Sequence, residues 1–258
     1  MKFEFAKGSF RFVPAWTGEE IKVAIDLLLS KARLPAKKDH LVIKPNLNND
    51  LIGLTGNSTD LRVLAALIEA LQKRGYQRVT VADGPNVGVD RRNIDVFRRL
   101  RLDALAQRYG VNLQNLNRGP TKNVTLSSGT ELPISELIFD ADYLISLPTV
   151  KTHAEAGMSI ACKNWVGLVH GQHKRLMHRD LAGNIVGLIA RLPPQLIVVD
   201  GVIAMEGNGP GDGAPVPMGL LAASDNPFVC DLAMCQLLGF SWDNVPYLAR
   251  ALKEGAIG

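Results

Sequence analysis

Four short apolar runs in this chain stop at the same kind of place. Leu41-Val42-Ile43 runs into Lys44-Pro45-Asn46, and Val79-Thr80-Val81-Ala82 runs into Asp83-Gly84-Pro85. Tyr143-Leu144-Ile145-Ser146-Leu147 runs into Pro148-Thr149-Val150-Lys151-Thr152-His153, and Leu196-Ile197-Val198-Val199 into Asp200-Gly201. Runs this short and this apolar are what strands buried on both faces look like. Stretches of helical period separate them. Thr17-Gly18-Glu19-Glu20 is a capping box opening a helix to about Arg33, with Ile21, Ala24, Ile25, Leu28 and Leu29 on one face. Ser58-Thr59-Asp60 opens a second helix, with Leu61, Leu64, Ala65, Ile68 and Leu71 at core spacing and Gly75 as its stop.

The remaining pattern predicts helices over 93–108, 157–168, 179–191, 226–238 and 244–254, and strands over 111–116 and Leu220-Leu221-Ala222-Ala223. Val124, Leu126 and Leu132 flank Ser127-Ser128-Gly129-Thr130, which predicts a small β-hairpin added to the main sheet. The stretch 205–217 holds Gly207, Gly209, Pro210, Gly211, Gly213, Pro215 and Pro217, which reads as an irregular loop. Strands alternating with helices imply an α/β protein: a mostly parallel (mixed) sheet with helices on both faces. The expectation is one domain over 1–258, with a Lys/His-rich active-site insertion near 148–178.

Totals enter as exclusions. A chain of 258 residues buries enough surface to fold without disulfides or a structural metal, so any metal would serve chemistry. The net charge of +4 is a mild bias toward anionic ligands. The basic cluster Arg91, Arg92, Arg98, Arg99 and Arg101 reads as a solvated helix face, and no aromatic interleaving supports base stacking, so nucleic acid is disfavoured. Cys162, Cys230 and Cys235 form no C-x-x-C pair; they read as buried thiols in a reducing compartment, and no iron–sulfur cluster is expected on this chain alone. The amino terminus has no signal-peptide core and no run approaches 18 apolar residues, so the expected location is cytoplasmic, without a membrane partner.

Ligands of open parallel sheets bind outside the carboxyl ends of the strands, so the four polar strand ends are expected to converge on one cleft. A strand terminator would explain any one of them singly. The densest chemistry lies in 148–178, which carries four of the five histidines. Lys151, His153, Lys163 and Asp200 are the catalytic candidates, with His153 the leading acid–base group. Lys44, Asn46, Asp83, Asn164, Glu206 and Asn208 are the substrate-binding candidates: lysines for an anion, amides for its oxygens, and the carboxylates for orientation. His170, His173 and His178 have spacing for a divalent metal, against which stand Lys174 and Arg175 beside them. The run 205–213 is neither a Walker loop nor a dinucleotide fingerprint, although its backbone could cradle an anion.

Together these residues predict an enzyme acting on a small anionic (carboxylate or phosphate) metabolite. The rival readings are a metal-dependent or redox enzyme working with an iron–sulfur partner, and a non-catalytic binding or cofactor-assembly module. The chain also resembles a widespread prokaryotic family known as a domain of unknown function. The resemblance rests on Ile43-Lys44-Pro45-Asn46, Pro148 through His153, Lys163-Asn164-Trp165-Val166-Gly167, Val199-Asp200-Gly201, Met205 through Pro210, and Asp225-Asn226-Pro227 with Asp231. Some relatives carry fused ferredoxin-type iron–sulfur modules, so the resemblance implies an α/β fold, a redox setting and a ferredoxin-like protein as partner. It implies no particular reaction. A looser similarity, carried by the Lys/His-rich cleft alone, is to nickel-dependent racemases of hydroxy acids, and stands as analogy.

Overall fold

The strand ends sit where they do because of the order in which strands join the sheet. The computed structural model describes residues 2–5 and 8–257. The chain opens with β1 (Lys2–Phe5), β2 (Gly8–Pro14) and helix α1 (Gly18–Leu29). It continues through β3 (Leu41–Pro45), α2 (Leu61–Lys73), β4 (Val79–Asp83), three short helices α3 (Val87–Arg91), α4 (Val96–Arg99) and α5 (Leu102–Tyr109), and β5 (Asn112–Asn115). Next are β6 (Thr121–Thr125), β7 (Glu131–Ser135), α6 (Glu136–Asp140), β8 (Tyr143–Leu147), β9 (Thr149–His153), β10 (Gly157–Ser159) and α7 (Ala161–Asn164). Two 3₁₀ helices, Trp165–Leu168 and Gly171–Arg179, lead to α8 (Leu181–Arg191), β11 (Leu196–Asn208), β12 (Asp212–Ser224), α9 (Pro227–Leu237) and α10 (Pro246–Lys253).

The main sheet has the order β1-β2-β12-β11-β8-β3-β4-β5, with β9 joined to β11 and β10 to β9. Its centre is parallel: β8, β3, β4 and β5 run together, and β11 runs parallel to β8. The flank of β1, β2, β12 and β11 is antiparallel. Alternation along the strands splits the core in two. Leu41 and Ile43 face one apolar cluster with α1, α2 and α5, whereas Val42 faces the other with α8, α9 and α10. Helices therefore cover both faces, as the apolar runs require. Among the described residues no helix is long and apolar enough to cross a membrane.

Four expectations change. The Gly/Pro-rich 205–217 is not an irregular loop but the outer half of a long β11–β12 hairpin, paired from Ile203↔Pro217 to Asn208↔Asp212. Pro215 and Pro217 have the same parity on β12, and β2 pairs only with its residues 220–224. Their nitrogens thus face an edge where no donor is needed, which is where proline is tolerated in a strand. The β6–β7 hairpin forms its own two-stranded sheet rather than extending the main one, because Val124, Leu132 and Ile134 bury against the helical cluster on one face. The helix over 93–108 starts late, at Val96, and is split at Arg101, since Asn93 and Arg101 both lie in the left-handed region at φ 53° and 63°. The helix over 157–168 is instead β10, α7 and a 3₁₀ turn, since Gly157 at φ 74° returns the chain antiparallel to β9.

Candidate active site

β3, β4 and β9 deliver Lys44, Asp83 and Lys151 to the walls of one cavity of about 260 Å3. Lys163 and Asn164 reach it from α7, and His153 from the end of β9; Lys174, Arg175 and His178 close it from the second 3₁₀ helix. Asp83 is the only carboxylate among its lining residues.

One wall is a saturated ion pair. Lys44 is 2% exposed. Its Nζ donates to Asp83 Oδ1 at 2.6 Å, Asn164 Oδ1 at 3.1 Å and the Pro45 carbonyl at 3.3 Å. Asp83 is fixed in turn by the Leu47 and Gly84 amides, at 2.7 and 2.8 Å. Asn164 is fixed by donating to the Lys44 carbonyl and to Ser146 Oγ. Burial pushes the Lys44 pKa down, and the Asp83 charge pulls it back. Two glycines allow this wall to close. A Cβ on Gly167 would lie 2.6 Å from Lys44 Nζ, and one on Gly84 would lie 2.4 Å from the Gly167 carbonyl oxygen.

The other wall is built differently. Lys151 is 1% exposed and makes no ion pair among the described residues. Its Nζ donates to Asn46 Oδ1 at 2.9 Å and to the Asn57 carbonyl at 2.5 Å. Burial pushes its pKa down to about 7. The Lys163 side chain makes no hydrogen bond or ion pair among the described residues, and burial takes it down to about 8. Lys174, hydrogen-bonded to Asn117 Oδ1, is pushed down to about 7 by burial. His153 Nδ1 accepts from the amides of Glu155 and Ala156, each at 3.1 Å. That leaves its proton on Nε2, and burial, with Lys163 nearby, pushes its pKa down to about 4. The neutral ring therefore presents an N–H donor at Nε2.

Lys44, Asn46, Asp83, Lys151, His153, Lys163 and Asn164 are thus brought together, while Asp200, Glu206 and Asn208 are not. Asp200 is buried behind the cavity, where its carboxylate accepts from the Asp60 amide at 2.7 Å and the Val202 amide at 3.2 Å. Burial pushes its pKa up to about 7. Its place at the start of α2 is structural, because β11 continues past it instead of ending there. Glu206 and Asn208 are exposed on the β11–β12 arm, whose tip contributes Pro210 instead. Sequence reading missed Asn48, Asn57 and Lys174. Asn57 and Asn48 both donate to the Pro210 carbonyl, tying the 46–57 loop to the arm. Their signal was the asparagine-rich stretch 46–57 itself, three residues beyond the β3 apolar run.

No group of three or more His, Cys, Asp or Glu side chains among the described residues could hold a metal ion. His170, His173 and His178 fail for a geometric reason. A 3₁₀ helix has three residues per turn, so His170 and His173 stack in one column and His178 falls on another side. His178 pairs instead with Glu155 at 2.9 Å. The donor set does not fit a resident nickel or other divalent ion. Cys162, Cys230 and Cys235 are all buried, and burial raises each thiol's pKa.

The family model described as a domain of unknown function, DUF362, matches residues 41–236. A thylakoid-associated protein of Synechocystis sp. is 30% identical over 230 residues, which cover 84% of this chain and 68% of that protein. Among solved structures, the lactate racemase apoprotein of Thermoanaerobacterium thermosaccharolyticum superposes with a TM-score of 0.56 at 13% identity, over 87% of this chain. This chain spans about half of that protein, 55% of its length, and the likeness is one of fold.

Proposed function

The chain belongs to the DUF362 family, a domain of unknown function, and from that premise we propose that it is an enzyme acting on a small anionic metabolite, a carboxylate or phosphate, held in the cavity at the strand ends. One observation carries this reading: Lys44, Lys151, Lys163, Lys174 and Arg175 line one small cavity, and its sole carboxylate is already spent on Lys44. An anion entering there meets two cationic side chains, Lys163 and Arg175, that have no partner among the described residues, and charge-assisted hydrogen bonds to them are strong. Lys163, with no protein partner, is its first contact, and Arg175 at the rim supplies a charge that does not titrate near neutral pH. The volume of about 260 Å3 admits a ligand of a few carbons. The lactate racemase apoprotein has a related fold and by its name acts on a small hydroxycarboxylate, which makes lactate a sensible probe. Of the catalytic candidates, Lys151 serves as base or nucleophile and His153 Nε2–H as the donor to a substrate oxygen, while Asp200 lies outside the cavity lining.

Titration calorimetry with lactate and with inorganic phosphate tests the reading. At least one should bind, with proton uptake near pH 8 because the anion restores charge to Lys163 and Lys174. Lys163→Ala should weaken binding by about tenfold or more. Absence of binding by either anion, or binding indifferent to that substitution, would overturn it.

A further inference from the structure

Counting valences distinguishes the two buried lysines of the cavity. An ammonium has three N–H bonds and needs three acceptors when buried; an amine has two and keeps a lone pair. Lys44 has three acceptors, one of them a carboxylate. Lys151 has two, both neutral carbonyl oxygens: the Asn46 side chain and the Asn57 main chain. Neither acceptor is charged, and no carboxylate pairs with its nitrogen among the described residues. The surroundings of Lys151 are therefore those of a neutral amine. With both N–H bonds committed inside the protein, the free valence of its nitrogen is the lone pair, and the space it borders is the cavity.

A fixed lone pair facing a cavity is a nucleophile's arrangement. What it attacks is set by its neighbours. Lys163 is free to hold a carboxylate, and His153 offers a single N–H donor whose position is held by two backbone amides. A carboxylate with an adjacent carbonyl oxygen uses all of these groups. We infer that Lys151 forms an imine with a small 2-oxo carboxylate, which Lys163 holds by its carboxylate and His153 Nε2–H polarises at its carbonyl oxygen. This rests on the reading of the cavity as a small-anion site and names the substrate class within it. In the reaction the nitrogen lone pair forms the C–N bond at C2. The carbonyl oxygen leaves as water with both hydrogens of the amine, and C=N replaces C=O. No electrons enter or leave, so no redox partner is needed. The imine draws electrons from the neighbouring carbon, which supports proton transfer or bond cleavage there.

Reductive trapping tests it. The intact protein is incubated with pyruvate and sodium cyanoborohydride at neutral pH, and the adduct is mapped by peptide mass spectrometry. The expected result is one reduced adduct, on Lys151. Lactate, of the same size and charge but without the carbonyl, should slow its formation. Lys151→Met should lower trapping by about tenfold or more, with a cooperative melting transition as the control that the variant is folded. The wild-type map decides the matter even if that variant does not fold. Lactate binding without any adduct on Lys151 would overturn the nucleophile and leave the anion site standing. An adduct on Lys163 or on surface lysines alone would also overturn it. Failure of both lactate and pyruvate to bind would remove the anion reading as well.

Discussion

On one side of the cavity a buried lysine meets a carboxylate; on the other, a lysine buried as deeply meets only two carbonyl oxygens. Lys44 comes from β3 and Asp83 from the adjacent parallel strand β4, so the sheet brings the two strand ends side by side. Lys151 comes from β9 and meets the loop 46–57 that follows β3. The first wall answers charge with charge and leaves nothing over. The second answers an amine with dipoles and leaves a lone pair. The same residue type at the same depth thus becomes scaffold in one place and chemistry in the other, and the partner decides which.

Breaking the first wall should cost the most. Asp83→Asn preserves shape but leaves Lys44 without its counter-charge, and removing one member of a buried pair costs about 3–5 kcal/mol. Urea unfolding should show that loss, and a cost under about 1 kcal/mol would mean the pair does not organise the wall. Next comes Gly84→Ala. Its Cβ would stand 2.4 Å from the Gly167 carbonyl oxygen, so backbone must move and the Lys44 wall must open. Overpacking of this kind costs about 1–3 kcal/mol, and anion affinity should fall with it. Lys151→Met is expected to be milder, about 1–2 kcal/mol, because it leaves two unpaired carbonyl oxygens but no orphaned charge. Should Lys151→Met cost as much as Asp83→Asn, the contrast between the walls fails.

The contrast was only half legible in the sequence. Lys44, Asp83 and Lys151 could be placed together because each closes a buried apolar strand, and a parallel sheet brings such ends to one edge. The same reasoning misplaced Asp200. Its apolar run looked finished at Gly201, yet β11 runs on to Asn208 because an antiparallel partner, β12, is there to pair with it. Pairing of that kind is a property of distant residues, and local glycine and proline argued against it. His153 was legible as a site residue, but the state of its ring depends on the Glu155 and Ala156 amides, in a turn just ahead of the expected 157–168 helix. Lys174 was read only as a charge opposing a metal, because only the fold-back of the 3₁₀ helix carries it to the β4 end beside Gly84.

The gentlest test reads the second wall without altering it. Burial holds Lys151 and Lys174 near 7 and Lys163 near 8, well below the ordinary lysine value of 10.5. Between about pH 8 and 10 the unfolded chain therefore keeps these three protonated while the folded chain does not. The unfolded state binds more protons, so stability rises with pH across that window and is lost as pH falls toward 7. Each fully deprotonated buried amine contributes at most about 1.4 kcal/mol per pH unit. A melting temperature that climbs from pH 8 to 9.5 is the expected result, with a shallower climb in Lys151→Met. Phosphate should flatten the climb too if the anion reading is right, because an anion in the cavity favours the charged lysines in the folded state. A melting temperature that is level or falling over this range would mean that the lysines of the second wall keep their protons. The wall at Lys151 would then be no different in kind from the wall at Lys44.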